Sequence, residues 1–207
     1  MRRIIIFTMM VFVAWSAGVI SWTAVANQES SPGIEQTFQK AKQDYLDKNL
    51  HSASEHINKG AAFMKEQAGK ASAKSKKALR ESADELEQLA GDVKQGLVSS
   101  PKRIEEAFAR AHLALASNEH VRATQSWTEK KYEQAGDALQ SANEHLEKSL
   151  GWAGGKIEKG TGDALKKSGE LAGKLKQKGA LLSEEVGKSL RDVGSSIEDF
   201  ARKISPR

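Results

Sequence analysis

From Pro32 to Leu150 the apolar residues recur at intervals of three and four, and no stretch alternates apolar with polar as a half-buried strand would. Leu79, Ala83, Leu86, Ala90, Val93 and Leu97 follow this rhythm, with Lys76, Arg80, Glu81, Glu87 and Lys94 between them. That spacing puts one apolar stripe on one helical face, so the segment 70–98 reads as an amphipathic helix. Two helix starts are marked by Ser31-Pro32 and Ser100-Pro101. Each sets a capping hydroxyl before a proline whose missing N–H costs nothing at the first helical position. Each also opens a similar string, with Ile34, Glu35 and Phe38 in the first and Ile104, Glu105 and Phe108 in the second.

A second likeness follows at one constant offset. Ala41, Tyr45, Lys48, Leu50, Ala53, Ile57, Gly60 and Met64 match Ala123, Trp127, Lys130, Tyr132, Ala135, Leu139, Ala142 and Leu146. This predicts a duplicated helix-turn-helix unit with turns at Asp47-Lys48-Asn49 and Glu129-Lys130-Lys131. The first helix of the second copy should be longer by about three turns, which accounts for the different offset of the two starts. Small residues at the repeated positions let paired helices approach closely. Tyr45, Trp127 and Tyr132 fall in register as core side chains, with a ligand platform as the alternative. The predicted fold is all-α: residues 27–150 form an antiparallel bundle of about four helices, built on two helical hairpins.

From Gly151 the composition changes. Ten of the seventeen glycines lie between Gly151 and Gly194, and the only later aromatic after Trp152 is Phe200. The apolar rhythm persists: Leu171, Leu182, Val193 and Ile204 form one eleven-residue series, and Leu175, Val186 and Ile197 a second. Eleven residues make three turns of a nearly straight helix, so residues 151–207 are predicted to be an amphipathic tail with one stripe. Each helical glycine costs about 1 kcal/mol against alanine, so this tail needs a cover to become helical. Three covers are open: its own bundle, another copy of the chain, or an anionic lipid surface, toward which seven lysines against three acids in 156–178 would point.

The N-terminus reads as a secretory signal. Arg2 and Arg3 precede an uncharged apolar run from Ile4 to Ile20, and Ala24-Val25-Ala26 supplies the small-x-small cleavage pattern. Cleavage after Ala26 is expected, giving a periplasmic or secreted protein, with a retained membrane anchor as the alternative. Removing residues 1–26 takes away two arginines and leaves 30 basic against 27 acidic residues. So small an excess, on an exported chain, argues against nucleic acid as a partner. There are no cysteines, hence no disulfides.

No catalytic pattern is legible: there is no Gly-x-Ser-x-Gly, no His-Glu-x-x-His, and Gly187-Lys188-Ser189 lacks the upstream glycine of a phosphate loop. The chain is therefore read as a non-enzyme without a cofactor. Histidine is the one residue type left with chemical potential. Glu119-His120 and Glu144-His145 are expected at similar heights on the two arms of the second hairpin, where they could hold a divalent metal; solvated surface histidines are the alternative.

The hairpins Ala41–Met64 and Ala123–Leu146 each carry, after the turn, the spacing apolar, x2, Ala, x3, apolar, x2, small (Tyr132, Ala135, Leu139 and Ala142 in the second), which resembles the second helix of tetratricopeptide repeats. Together with the signal, they give the chain a resemblance to small helical periplasmic proteins of the YfdX type. The tail is similar in period and composition to late-embryogenesis-abundant proteins and exchangeable apolipoproteins. These resemblances imply a stress-protective, chaperone-like or scaffolding role in the cell envelope, with other envelope proteins or a second copy as partners.

Overall fold

A computed structural model describes residues 32–155, 159–176 and 183–204. Those residues form seven helices: α1 Pro32–Leu46, α2 Leu50–Lys70, α3 Ala73–Lys94, α4 Pro101–Thr128, α5 Tyr132–Trp152, α6 Lys159–Lys176 and α7 Ser183–Ile204. No strand occurs among the described residues, and none of the described helices is long and apolar enough to cross a membrane. The expected signal segment and Leu182 of the predicted stripe lie outside the described residues.

Both proline starts are helix starts. Ser100 accepts a hydrogen bond at Oγ from the Lys102 amide, 3.2 Å away, and α4 begins at Pro101. The duplicated turns share one hydrogen-bond pattern. Lys48 N–H donates to Tyr45 O (3.1 Å) and Asn49 N–H to Asp44 O (2.8 Å); Lys130 N–H donates to Trp127 O (3.0 Å) and Lys131 N–H to Ser126 O (2.8 Å). Both are Schellman caps, which need a left-handed residue. Lys48 has φ 63° and Lys130 φ 59°, whereas the same cap after α3 uses Gly96 at φ 70°. A side chain in that region is strained by its Cβ. Lys48→Gly and Lys130→Gly should therefore each raise the unfolding free energy by about 0.5–1 kcal/mol, read as a higher urea midpoint. An unchanged midpoint would mean that the lysine side chains compensate elsewhere.

The apolar side chains gather in two clusters that meet along α4. The first joins α1, α2, α3 and the N-terminal half of α4 around Phe38, Ile57, Met64, Leu79, Leu86 and Phe108. Its α1–α2 seam is close because Gly60 carries no side chain: a Cβ there would stand 2.5 Å from Phe38 Cε1. The second joins the C-terminal half of α4 with α5, α6 and α7 around Leu139, Leu146, Leu171, Leu175, Val186 and Val193. Arg110 ties the ends together. Its guanidinium forks onto the Glu85 carboxylate of α3 and donates to Ile204 O at the end of α7 (3.1 Å).

The tail stripe is thus an interior feature. Leu171, Leu175, Val186, Val193 and Ile197 are buried against α4 and α5 and Ile204 is half-buried, so of the covers open to the stripe, proposed as a partner-binding surface among other readings, it is the bundle that lies over it here. The bundle supplies the cover that the glycine-rich sequence needs. The 27–150 and 151–207 segments do not have separate cores, since α5 and the tail share one cluster. Two residues depart from the sequence pattern. Leu97 is 63% exposed because α3 ends at Lys94 and Gly96 turns the chain away; Tyr132 is 40% exposed at the first position of α5, outside the seam.

Candidate functional site

The two copies of the Ile-Glu-x-x-Phe string face each other, and they bring the most unusual side chains together. Phe38 of α1 and Phe108 of α4 stack with centroids 4.1 Å apart, and Trp152 of α5 meets Phe108 edge-on at 5.1 Å. Next to this aromatic wall lies a polar file through the bundle. Glu35 Oε2 is 2.9 Å from His112 Nε2, and His112 Nδ1 is 3.0 Å from His145 Nδ1. Trp152 Nε1–H donates to Glu35 Oε2 (3.2 Å) and Gln39 Nε2–H to Glu35 Oε1 (2.6 Å). The Glu35–His112 contact is short but lies off the ring N–H axis, a charge–dipole contact more than an aligned hydrogen bond.

Both rings are buried, His112 completely and His145 to 6% exposure. Burial lowers the pKa of His112, against the pull of Glu35, and takes His145 down to about 3, helped by the charges of His112 and Lys148. Burial pushes Glu35 up, but the close contact with His112 and the hydrogen bonds from Gln39 and Trp152 outweigh it and hold the carboxyl at about 2. Near neutrality the file is therefore one carboxylate and two neutral rings. In the tautomers that fit, His145 Nδ1–H donates to His112 Nδ1 and the His112 Nε2–H points toward Glu35. Phe38 packs edge-on to the His112 ring at 5.4 Å, covering the ring on the α1 side, while Glu35 at the end of the file is half-buried.

This arrangement corrects the expected metal site. His145 pairs with His112, not with His120. The reason is phase: His112 lies on the face of α4 that meets α5, while His120 turns toward α7, where its Nε2 donates to Leu190 O at 2.7 Å. Glu119 is buried and bound twice by Arg122 at 2.8 Å, and Glu144 accepts from Gln140 at 3.1 Å. The four residues thus have separate partners. No group of three or more potential ligands that could hold a metal occurs among the described residues. Sequence reasoning missed the pairing of His112 with Glu35. The signal that could have found it was the placement of Glu35 in one copy of the string and His112 just after the Phe of the other.

A second feature lies at the other end of α4. A cleft of about 440 Å³ opens between α4 and α7 beside the start of α3, lined by Val121, Trp127, Leu190, His120, Lys74 and Arg191 among others. Trp127 leans on Tyr132 with centroids 5.1 Å apart.

Comparison with family models, with curated proteins and with solved structures gives no match. What the fold defines is its class: an all-α bundle whose C-terminal helices complete the core of its second hairpin.

Proposed function

We propose that this is an exported, non-enzymatic interaction protein of the cell envelope with a stress-protective, chaperone-like role. In this reading α6 and α7 are a reversible cover over the apolar face of α4 and α5. The observation that carries it is the chemistry of the α5–α6 seam. Asn143 Oδ1 and Ser168 Oγ are buried there without a hydrogen-bond partner. Each such atom costs about 1–3 kcal/mol. The cover itself is built from glycine-rich helices of low intrinsic stability. Lifting it exposes Leu139, Leu146 and Leu150 of α5 and Leu113 of α4, a stripe suited to apolar segments of unfolded proteins.

Light scattering of a thermally unfolding client protein tests this. The mature chain should suppress aggregation, and a variant with a loosened cover, Gly136→Ala, should do so at lower concentration. A loosened variant no better than the wild type would remove the support for a cover.

A lipid-surface role is the second reading, favoured by one observation: Lys166, Lys167 and Lys174 are exposed on α6, opposite its buried leucines. It requires the same cover to transfer to an anionic bilayer. The mature chain should then float with phosphatidylglycerol vesicles at low salt and be released at high salt; no flotation at low salt counts against it.

A further inference from the structure

The cleft between α4 and α7 has an apolar floor and a cationic lip. α7 is held tightly to α4 at one point, where Gly194 lies over the His120 ring; a Cβ there would be 2.9 Å from His120 Cε1. Two turns earlier α7 carries Gly187, again without a side chain, and there the helices leave the open volume. Val121, Trp127 and Leu190 form its apolar walls. Arg191 folds back over the gap, its Nη1 3.5 Å from where a Gly187 Cβ would stand, and Lys74 reaches the opposite side from α3. Neither cation is ion-paired among the described residues. The charge of Lys74 is felt inside, where it adds to burial in lowering the His120 pKa. The volume lies at the small end of the roughly 300–1,000 Å³ typical of small-molecule pockets.

We propose that this cleft binds a free amphipathic anion, a medium-chain carboxylate whose alkyl tail lies against Val121, Trp127 and Leu190 and whose head group sits between Lys74 and Arg191. Two cations with no ion pair among the described residues, at the rim of an apolar cleft, supply both halves of that chemistry: area removed from water for the tail, charge-assisted hydrogen bonds for the carboxylate. The site belongs to the closed bundle: it lies between α4 and α7, asks for no movement of the cover, and would be taken apart if α7 lifted.

The test is isothermal calorimetry of the mature chain with decanoate below its micelle concentration, beside decanol and decyltrimethylammonium. Saturable binding of decanoate is expected, at least tenfold tighter than decanol, with no saturable heat from the cationic amphiphile. Lys74→Gln with Arg191→Gln, both at the surface, should weaken decanoate at least tenfold and leave the helical signal unchanged. Gly187→Phe should abolish binding by filling the mouth. Absence of saturable decanoate binding, decanol binding as tightly as decanoate, or decanoate affinity untouched by the paired charge substitution would each overturn the proposal.

Discussion

Acidifying the protein from pH 7 to pH 5 should lower its unfolding free energy by about 2 kcal/mol for each ring of the His112–His145 pair that stays neutral in the fold. The sign follows from the bound protons. In the unfolded chain a histidine takes up its proton near 6.5, whereas in the fold burial holds His145 down to about 3 and lowers His112 as well. Below 6.5 the unfolded state therefore binds more protons, and stability falls as pH falls through the window between the two values. Well above 6.5 these rings add no pH dependence. His120 works in the same direction, because burial lowers it too. Glu35 adds a further loss below about 4.5, since its folded pKa is about 2. Glu119 opposes them, its pKa raised by burial against the pull of Arg122. Urea midpoints at pH 7, 6 and 5 measure the slope. His145→Asn keeps a donor for His112 and removes one titrating ring, so the loss between pH 7 and 5 should fall substantially. A slope unaltered by that substitution would show that His145 does not reach the fold as a neutral ring.

The second large effect concerns one substitution made at two glycines, with opposite signs. Gly91 lies in α3 with nothing within 4 Å of an added Cβ. Gly91→Ala should stabilise by about 0.5–1 kcal/mol, because glycine loses more backbone freedom on folding than alanine. Gly136 lies in α5 at the contact with α6. A Cβ there would stand 2.8 Å from Ala172 O and 3.2 Å from Leu175 Cβ. The nearest backbone atom cannot rotate away, so α6 must shift as a body. Overpacking of this kind costs about 1–3 kcal/mol, more than the helical gain from alanine. The shift also strains the Lys176 contacts to Asp137 (2.9 Å) and Gln140 (3.2 Å), which clamp α6 to α5 from outside. Hydrogen exchange should then quicken in α6 and α7 before α1–α3, because the damage is confined to the second cluster. Equal exchange throughout would mean that the two clusters unfold as one unit, and a cover that opens alone would not exist.

The sequence carried the all-helical class through its three-and-four rhythm, because that periodicity is a local property of which side chains share a helical face. It carried the duplicated turns for the same reason: Lys48 and Lys130 occupy equivalent positions in equivalent strings, and the short-range hydrogen bonds that close a helix depend on nearby residues alone. It carried the tail stripe as a periodicity, and the need of a glycine-rich helix for a cover. What lay beyond it was which surface meets which. A helix face does not name its partner, so the tail's choice of α4 and α5 over a foreign surface was decided by tertiary packing, at Gly136 and Gly194, where missing side chains let backbone and ring come close. The same holds for the histidines. Counting along the chain placed His120 beside His145, but the phase of a 28-residue helix turned His120 to α7 and His112 to α5. Glu35 met His112 only because α1 packs against α4, a contact between residues distant in sequence; the matching Ile-Glu-x-x-Phe strings mark both partners, but only the packing brings them together.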